Sequence, residues 1–135
     1  MTKDQLIKDE KISFPTAKLA KEKGFNLTSE WYFDNGNLKY GTGTDYCYQQ
    51  RLLGLVINCT TQTLLQTWLR KTHNIFLHVV TDNKKYDYHG WDMVTPIITT
   101  ESGEEIREIG GEPYRYDSYE EALEAGLLKA LTLIK

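Results

Sequence analysis

Tyr116-Asp-Ser-Tyr-Glu-Glu-Ala-Leu-Glu-Ala-Gly-Leu-Leu-Lys-Ala-Leu-Thr-Leu-Ile134 closes the chain, and its reading decides the fold. Ala122, Leu123, Leu127, Ala130, Leu131 and Ile134 recur at the three- and four-residue spacing that lines one face of an α-helix. Asp117 or Ser118 can cap its start, and a glutamate three residues on, Glu120 or Glu121, completes a capping box for either choice. A helix with one apolar stripe must bury it, so the preceding chain has to supply a complementary surface. Gly126 interrupts the stripe at a cost of about 1 kcal/mol relative to alanine, which predicts a second backbone passing close by.

Working backwards, residues 95 to 115 are polar and broken by Gly110-Gly-Glu-Pro113, and a stretch this long inside a compact domain predicts a short β excursion around Ile97 and Ile98 or Glu105 to Ile109. Ile75-Phe-Leu-His-Val-Val80 is apolar on both faces and predicts a central strand. It turns at Thr81-Asp-Asn-Lys84 and returns through Lys85 to Val94, with Tyr86 and Tyr88 on one face and Asp87 and His89 on the other. A second helix is predicted from Thr61 to His73, with Leu64, Leu65, Trp68 and Leu69 on one stripe, cations Arg70, Lys71 and His73 in the last turn, and Asn74 as a left-handed stop. Tyr46 to Asn58 reads either as strand or as a short buried helical piece. Asn35-Gly36, between two aromatic or apolar runs, is a type I′ hairpin signal. A first helix runs from Ser13 to Gly24, with Pro15 in its opening turn and Phe25 folding back in a Schellman-type contact. Residues 1–11 form an arm, either flexible or paired with a sheet edge. The order helix, hairpin, helix, hairpin, helix predicts one α+β domain over residues 1–135, a mostly antiparallel sheet with about three helices on one face.

With 135 residues, 40% apolar and 26% charged, the chain is long enough for its own core and has an ordinary globular balance. No apolar run approaches the roughly 20 residues that span a bilayer, and the first ten residues alternate charges, so a cytoplasmic protein without membrane contact is expected. Two cysteines, Cys47 and Cys59, are too few for a disulfide framework and are read as thiols. Residues 101–135 carry nine acidic side chains against four basic ones, which argues against a duplex-DNA binder. Glu120, Glu121 and Glu124 of the closing helix read either as a surface for a basic partner or, the preferred reading, as a solvated face whose first-turn glutamates stabilise the helix without any partner.

No catalytic motif emerges. Cys47, Cys59, His73, His78 and His89 lack the close pairs of a zinc site, and no local signature places a cysteine beside a histidine as a nucleophile. No metal and no cofactor is expected. Gly41-Thr-Gly43 lacks the third glycine of a dinucleotide fingerprint, because Tyr46 stands there, and Asp34-Asn-Gly-Asn37 lacks the acidic ligands of a calcium loop. The most informative constellation is Tyr86-Asp-Tyr-His-Gly-Trp-Asp92. Aromatics alternating with Asp and His can make a stacking platform with hydrogen-bonding groups. The plainer alternative is that Tyr86, Tyr88 and Trp91 cover the sheet under the helices, and that Trp68 packs in the core.

Thr61-Gln-Thr-Leu-Leu-Gln-Thr-Trp-Leu-Arg-Lys-Thr-His-Asn-Ile75 and Ser118-Tyr-Glu-Glu-Ala-Leu-Glu-Ala-Gly-Leu-Leu-Lys-Ala-Leu131 resemble small uncharacterised proteins of bacteriophages and integrated elements of gut Bacteroidetes. Ile12-Ser-Phe-Pro-Thr-Ala-Lys-Leu-Ala-Lys-Glu-Lys-Gly-Phe25 is similar too. The resemblance covers about half the chain through helix patterns, and it implies a setting inside a bacterium without implying a reaction. Two functions follow as expectations. The first is a non-enzymatic interaction module acting on a host or phage protein, or self-associating as a homodimer. The second is a small-ligand or single-stranded nucleic-acid binder using an aromatic sheet surface, with Trp68, Arg70, Tyr88, His89, Trp91 and Asp92 as binding candidates.

Overall fold

A computed structural model of the chain describes residues 2, 11–26, 31–41, 56–82, 93–106, 116 and 118–134. They form an α+β structure whose contacts gather into two compact units, residues 1–64 and 65–135. Among the described residues every strand pairing is antiparallel, as expected, and the strands form two three-stranded sheets.

In the first unit, helix α1 (Phe14–Glu22) starts where the Ser13 hydroxyl accepts from the Thr16 N–H at 3.5 Å, with Pro15 in the opening turn. It stops at Gly24, whose φ of +99° is the left-handed conformation that glycine adopts without a Cβ penalty. The Phe25 N–H returns to the Ala20 carbonyl at 2.9 Å and the Gly24 N–H to Lys21 at 3.2 Å, the paired bonds of a Schellman motif. Strands β1 (Trp31–Asp34) and β2 (Asn37–Tyr40) then form the expected hairpin. Asn35 and Gly36 take φ of 52° and 81°, so the turn is type I′ and the register runs from Asp34↔Asn37 to Trp31↔Tyr40. Strand β3 (Val56–Asn58) pairs with the other side of β1, which settles the ambiguous end of residues 46–58 as strand. Phe14 of α1 meets Phe33 edge-on at 5.4 Å, so the helix covers the sheet face that carries Phe33, while Tyr32 and Val56 are buried on the other.

Cys59 behaves as a small buried hydrophobe, with its S–H directed at the Ile12 carbonyl at 3.5 Å; Cys47 lies outside the described residues. The Ile12 N–H donates to Thr60 at 3.1 Å and Lys11 pairs with Thr61 in an isolated antiparallel bridge. The end of the arm is thus joined to the chain following β3; residues 3–10 lie outside the described set.

Helix α2 (Gln62–His73) begins at the boundary, where the Thr61 hydroxyl accepts from the Leu64 N–H at 3.1 Å. Its buried stripe is Gln62, Leu65 and Leu69, while Leu64 is 43% exposed. The anticipated stripe is therefore displaced: Leu64 stands 100° around the helix from Leu65 and falls off the covered arc. Asn74 ends the helix with φ of 53°, and the Ile75 N–H donates to the Leu69 carbonyl at 3.2 Å.

The second sheet has the order β4-β5-β6, from β4 (Phe76–Asp82), β5 (Met93–Thr99) and β6 (Glu105–Ile106). Two expectations change here. Among the described residues β4 is an edge, and the central strand is β5, built on the Ile97–Ile98 excursion; of the returning segment from Lys85 only Met93 and Val94 are described, as the start of β5. Apolar residues on both faces misled because Phe76 is 46% exposed while its neighbour Leu77 is buried. Pro96 lies within this central strand, facing Val79 of β4; among the described residues β6 pairs with Ile98 and Thr99.

Helix α3 (Tyr119–Thr132) covers the face that carries Leu77, Pro96 and Ile98. Ser118 is its cap, accepting from the Glu121 N–H at 3.1 Å, and all six residues of the predicted stripe are buried. The close approach expected at Gly126 exists, but side chains make it. A Cβ there would stand 2.5 Å from Leu77 Cδ1 and 3.1 Å from Pro96 Cβ.

Candidate functional site

The binding candidates on α2 are Trp68 and Arg70. Burial of Leu65 and Leu69 anchors the helix and leaves Trp68 half-buried and Arg70 exposed. Residues two apart on a helix point to different sides, so these two do not form one recognition surface. Trp68 instead packs edge-on against His73, with ring centroids 4.7 Å apart and planes at 73°. The His73 Nε2 atom is buried and, among the described residues, has no hydrogen-bond partner. Two turns before His73, the Gln66 amide donates to the Leu77 carbonyl at 2.6 Å and ties α2 to β4. Tyr88, His89, Trp91 and Asp92 lie outside the described residues, as do Tyr86 and Asp87.

Exposed aromatics also stand on β4, on the β1–β2 hairpin and, as Tyr119, at the start of α3. On β4, Phe76 and His78 are exposed and share the sheet face opposite Leu77, the face α3 does not cover. Thr99, directly across from Phe76, and Glu105, across from Thr99, continue that face with polar groups. In the first unit, Trp31 and Tyr40 stand opposite each other at the open end of the hairpin, ring centroids 5.0 Å apart and planes at 59°. The Lys11 ammonium lies 5.0 Å from the centroid of the Trp31 ring, within range of a cation–π interaction. Tyr40 is 56% exposed. The Trp31–Tyr40 pairing was within reach of sequence reasoning, since a two-residue turn at Asn35-Gly36 dictates it. Nothing local signals that Lys11 arrives over the indole, because it is brought there by the bridge to Thr61.

On the hairpin's other face, Lys39 and Asp34 form an exposed ion pair at 3.0 Å, a contact of small energetic weight. Among the described residues no three His, Cys, Asp or Glu side chains gather as a metal site would require. No helix among them is long and apolar enough to cross a membrane. Tyr116, just ahead of α3, has its phenol pKa raised above the ordinary 10.0 by desolvation on burial. The chain matches no known protein family, no curated protein and no solved structure.

Proposed function

We propose that this protein is a non-enzymatic interaction module of a bacteriophage or integrated element, acting in the cytoplasm by surface contact with a host or phage protein. The resemblance of its helices to such proteins supplies the setting. The supporting observation is Phe76, an aromatic ring 46% exposed on strand β4. A large aromatic anchor bordered by the polar side chains of His78, Thr99 and Glu105 has the composition of a protein-contact patch: one side chain to be desolvated and a rim that stays wet.

Native mass spectrometry of protein purified gently from its bacterial host tests this reading. The expected spectrum contains a complex with a second polypeptide, or with a second copy, that dissociates in Phe76→Ser while that variant unfolds at the same denaturant concentration. A bare polypeptide mass with and without chemical crosslinking, or a complex indifferent to Phe76→Ser, would sink it.

A further inference from the structure

We infer that Lys11, Trp31 and Tyr40 form a binding site for a nucleotide unit, stacking an unpaired base on the exposed Tyr40 ring and holding the adjoining phosphate at the Lys11 ammonium. The inference rests on residues in the first unit and stands or falls separately from the Phe76 contact. Three observations carry it.

The first is exposure in a fixed place. Tyr40 is 56% exposed, yet its ring is positioned by the cross-strand contact with Trp31 at 5.0 Å and by a hairpin whose turn residues dictate the register. A tyrosine held this way presents a π-face at little entropic cost, and base stacking on such a ring tolerates any base.

The second is a cation held beside that ring pair. The Lys11 backbone is pinned by its bridge to Thr61 and by the Ile12 to Thr60 hydrogen bond of 3.1 Å, and its ammonium sits 5.0 Å from the Trp31 centroid. An apolar peptide side chain would fit the rings alone. The ammonium beside them suits a ligand that carries an anion next to a planar ring.

The third is the distribution of charge. Residues 1–64 contain eight Lys and Arg against seven Asp and Glu, a balance of +1, whereas residues 65–135 contain eight against twelve, a balance of −4. The acidity that argues against duplex DNA therefore belongs to the other unit.

Fluorescence anisotropy of labelled octathymidylate, with amide and side-chain chemical shifts mapped in parallel, tests the site. Saturable binding with shifts at Lys11, Trp31 and Tyr40 is expected. Tyr40→Ala weakens it roughly tenfold, and Tyr40→Phe, which keeps the π-face, restores it. Lys11→Gln weakens it several-fold and lowers the slope of log affinity against log salt by about 0.7, the change for one lost phosphate contact on a single strand, while Lys11→Arg keeps both. Thymidine monophosphate alone distinguishes the source: the same shifts at millimolar concentration identify a free nucleotide as sufficient, and shifts with the octamer only identify a strand. Absence of saturable binding by the native protein overturns the inference. So does binding that leaves these three residues unshifted, or that is equal in Tyr40→Ala and Lys11→Gln. In those cases the trio is only a clasp that joins the arm to the hairpin.

Discussion

The two sheets of this protein are stabilised in different ways. The β1–β2 hairpin at the heart of the first sheet is held by local chemistry: a type I′ turn whose two residues carry positive φ and the cross-strand contact of Trp31 with Tyr40. The β4-β5-β6 sheet is held by contacts between elements: the aliphatic stripe of α3 laid onto Leu77, Pro96 and Ile98 with no side chain at Gly126 to keep it away, and the Gln66 amide of α2 bonded to the Leu77 carbonyl. That hairpin is specified residue by residue along the chain, and β3 then adds to it by a long-range pairing. The second sheet depends on volumes that must match across some thirty to fifty residues of sequence.

The contrast can be broken in order of expected effect. Leu127→Ala removes a fully buried side chain from the stripe and should cost about 3 kcal/mol, the transfer loss plus the cavity it leaves. Urea unfolding should show a lower midpoint at unchanged slope. A loss below about 1 kcal/mol would mean that α3 is not the main support of its sheet.

Gly126→Val sharpens the same point from the opposite side, by adding volume. Its Cβ meets Leu77 Cδ1, which can swing away, and Pro96 Cβ, which a ring holds in place. A loss of about 2 kcal/mol is expected from overpacking, measured by the same denaturation. Stabilisation would show that helix propensity outweighs the contact and that the stripe has slack.

Gly36→Ala probes the local regime. A Cβ there meets only Phe14 ring carbons at 3.9 Å, an ordinary contact, so the cost is the positive φ alone, about 1 kcal/mol. A loss as large as that of Leu127→Ala would erase the distinction between the two sheets.

The smallest effect is one of pH. Tyr116 has a folded pKa raised above its unfolded value because burial disfavours the phenolate. The stability this contributes is fully present below pH 10.0 and is lost as pH rises from there through the folded pKa. Tyr116→Phe should flatten the alkaline limb of the stability profile and leave the neutral region unchanged. An identical alkaline decline in both proteins would place its cause elsewhere.

These differences also explain what could be read in advance. The Ser13 cap, the Gly24 stop, the Asn35-Gly36 turn, the Ser118 cap and the α3 stripe were all legible, because each signal and its partner lie within a few residues. Among the described residues β4 is an edge and not the central strand expected, because hydrophobicity reports what a face tolerates and says nothing of which strand lies beside it. Ile97 and Ile98 looked like a minor excursion within a polar stretch containing Pro96, yet they form the middle of the sheet. Of the proposed binding residues, Trp68 and Arg70 were correctly placed on a helix, but helical geometry sends them to different sides. The Lys11, Trp31 and Tyr40 cluster was missed because one member comes from twenty residues earlier through a single bridge.

The sequence by itself determined where helices start and stop, which hairpin turns, and the register that pairs Trp31 with Tyr40. Those outcomes follow from steric limits on φ and from hydrogen bonds that close over a few residues. Tertiary structure alone decided that β5 is paired on both sides, that among the described residues β4 is an edge, that Leu77 and Pro96 approach Gly126, and that Lys11 comes to rest over an indole. Each of these depends on which surfaces find a complementary volume after the chain has folded back, a quantity that no local pattern of residues encodes.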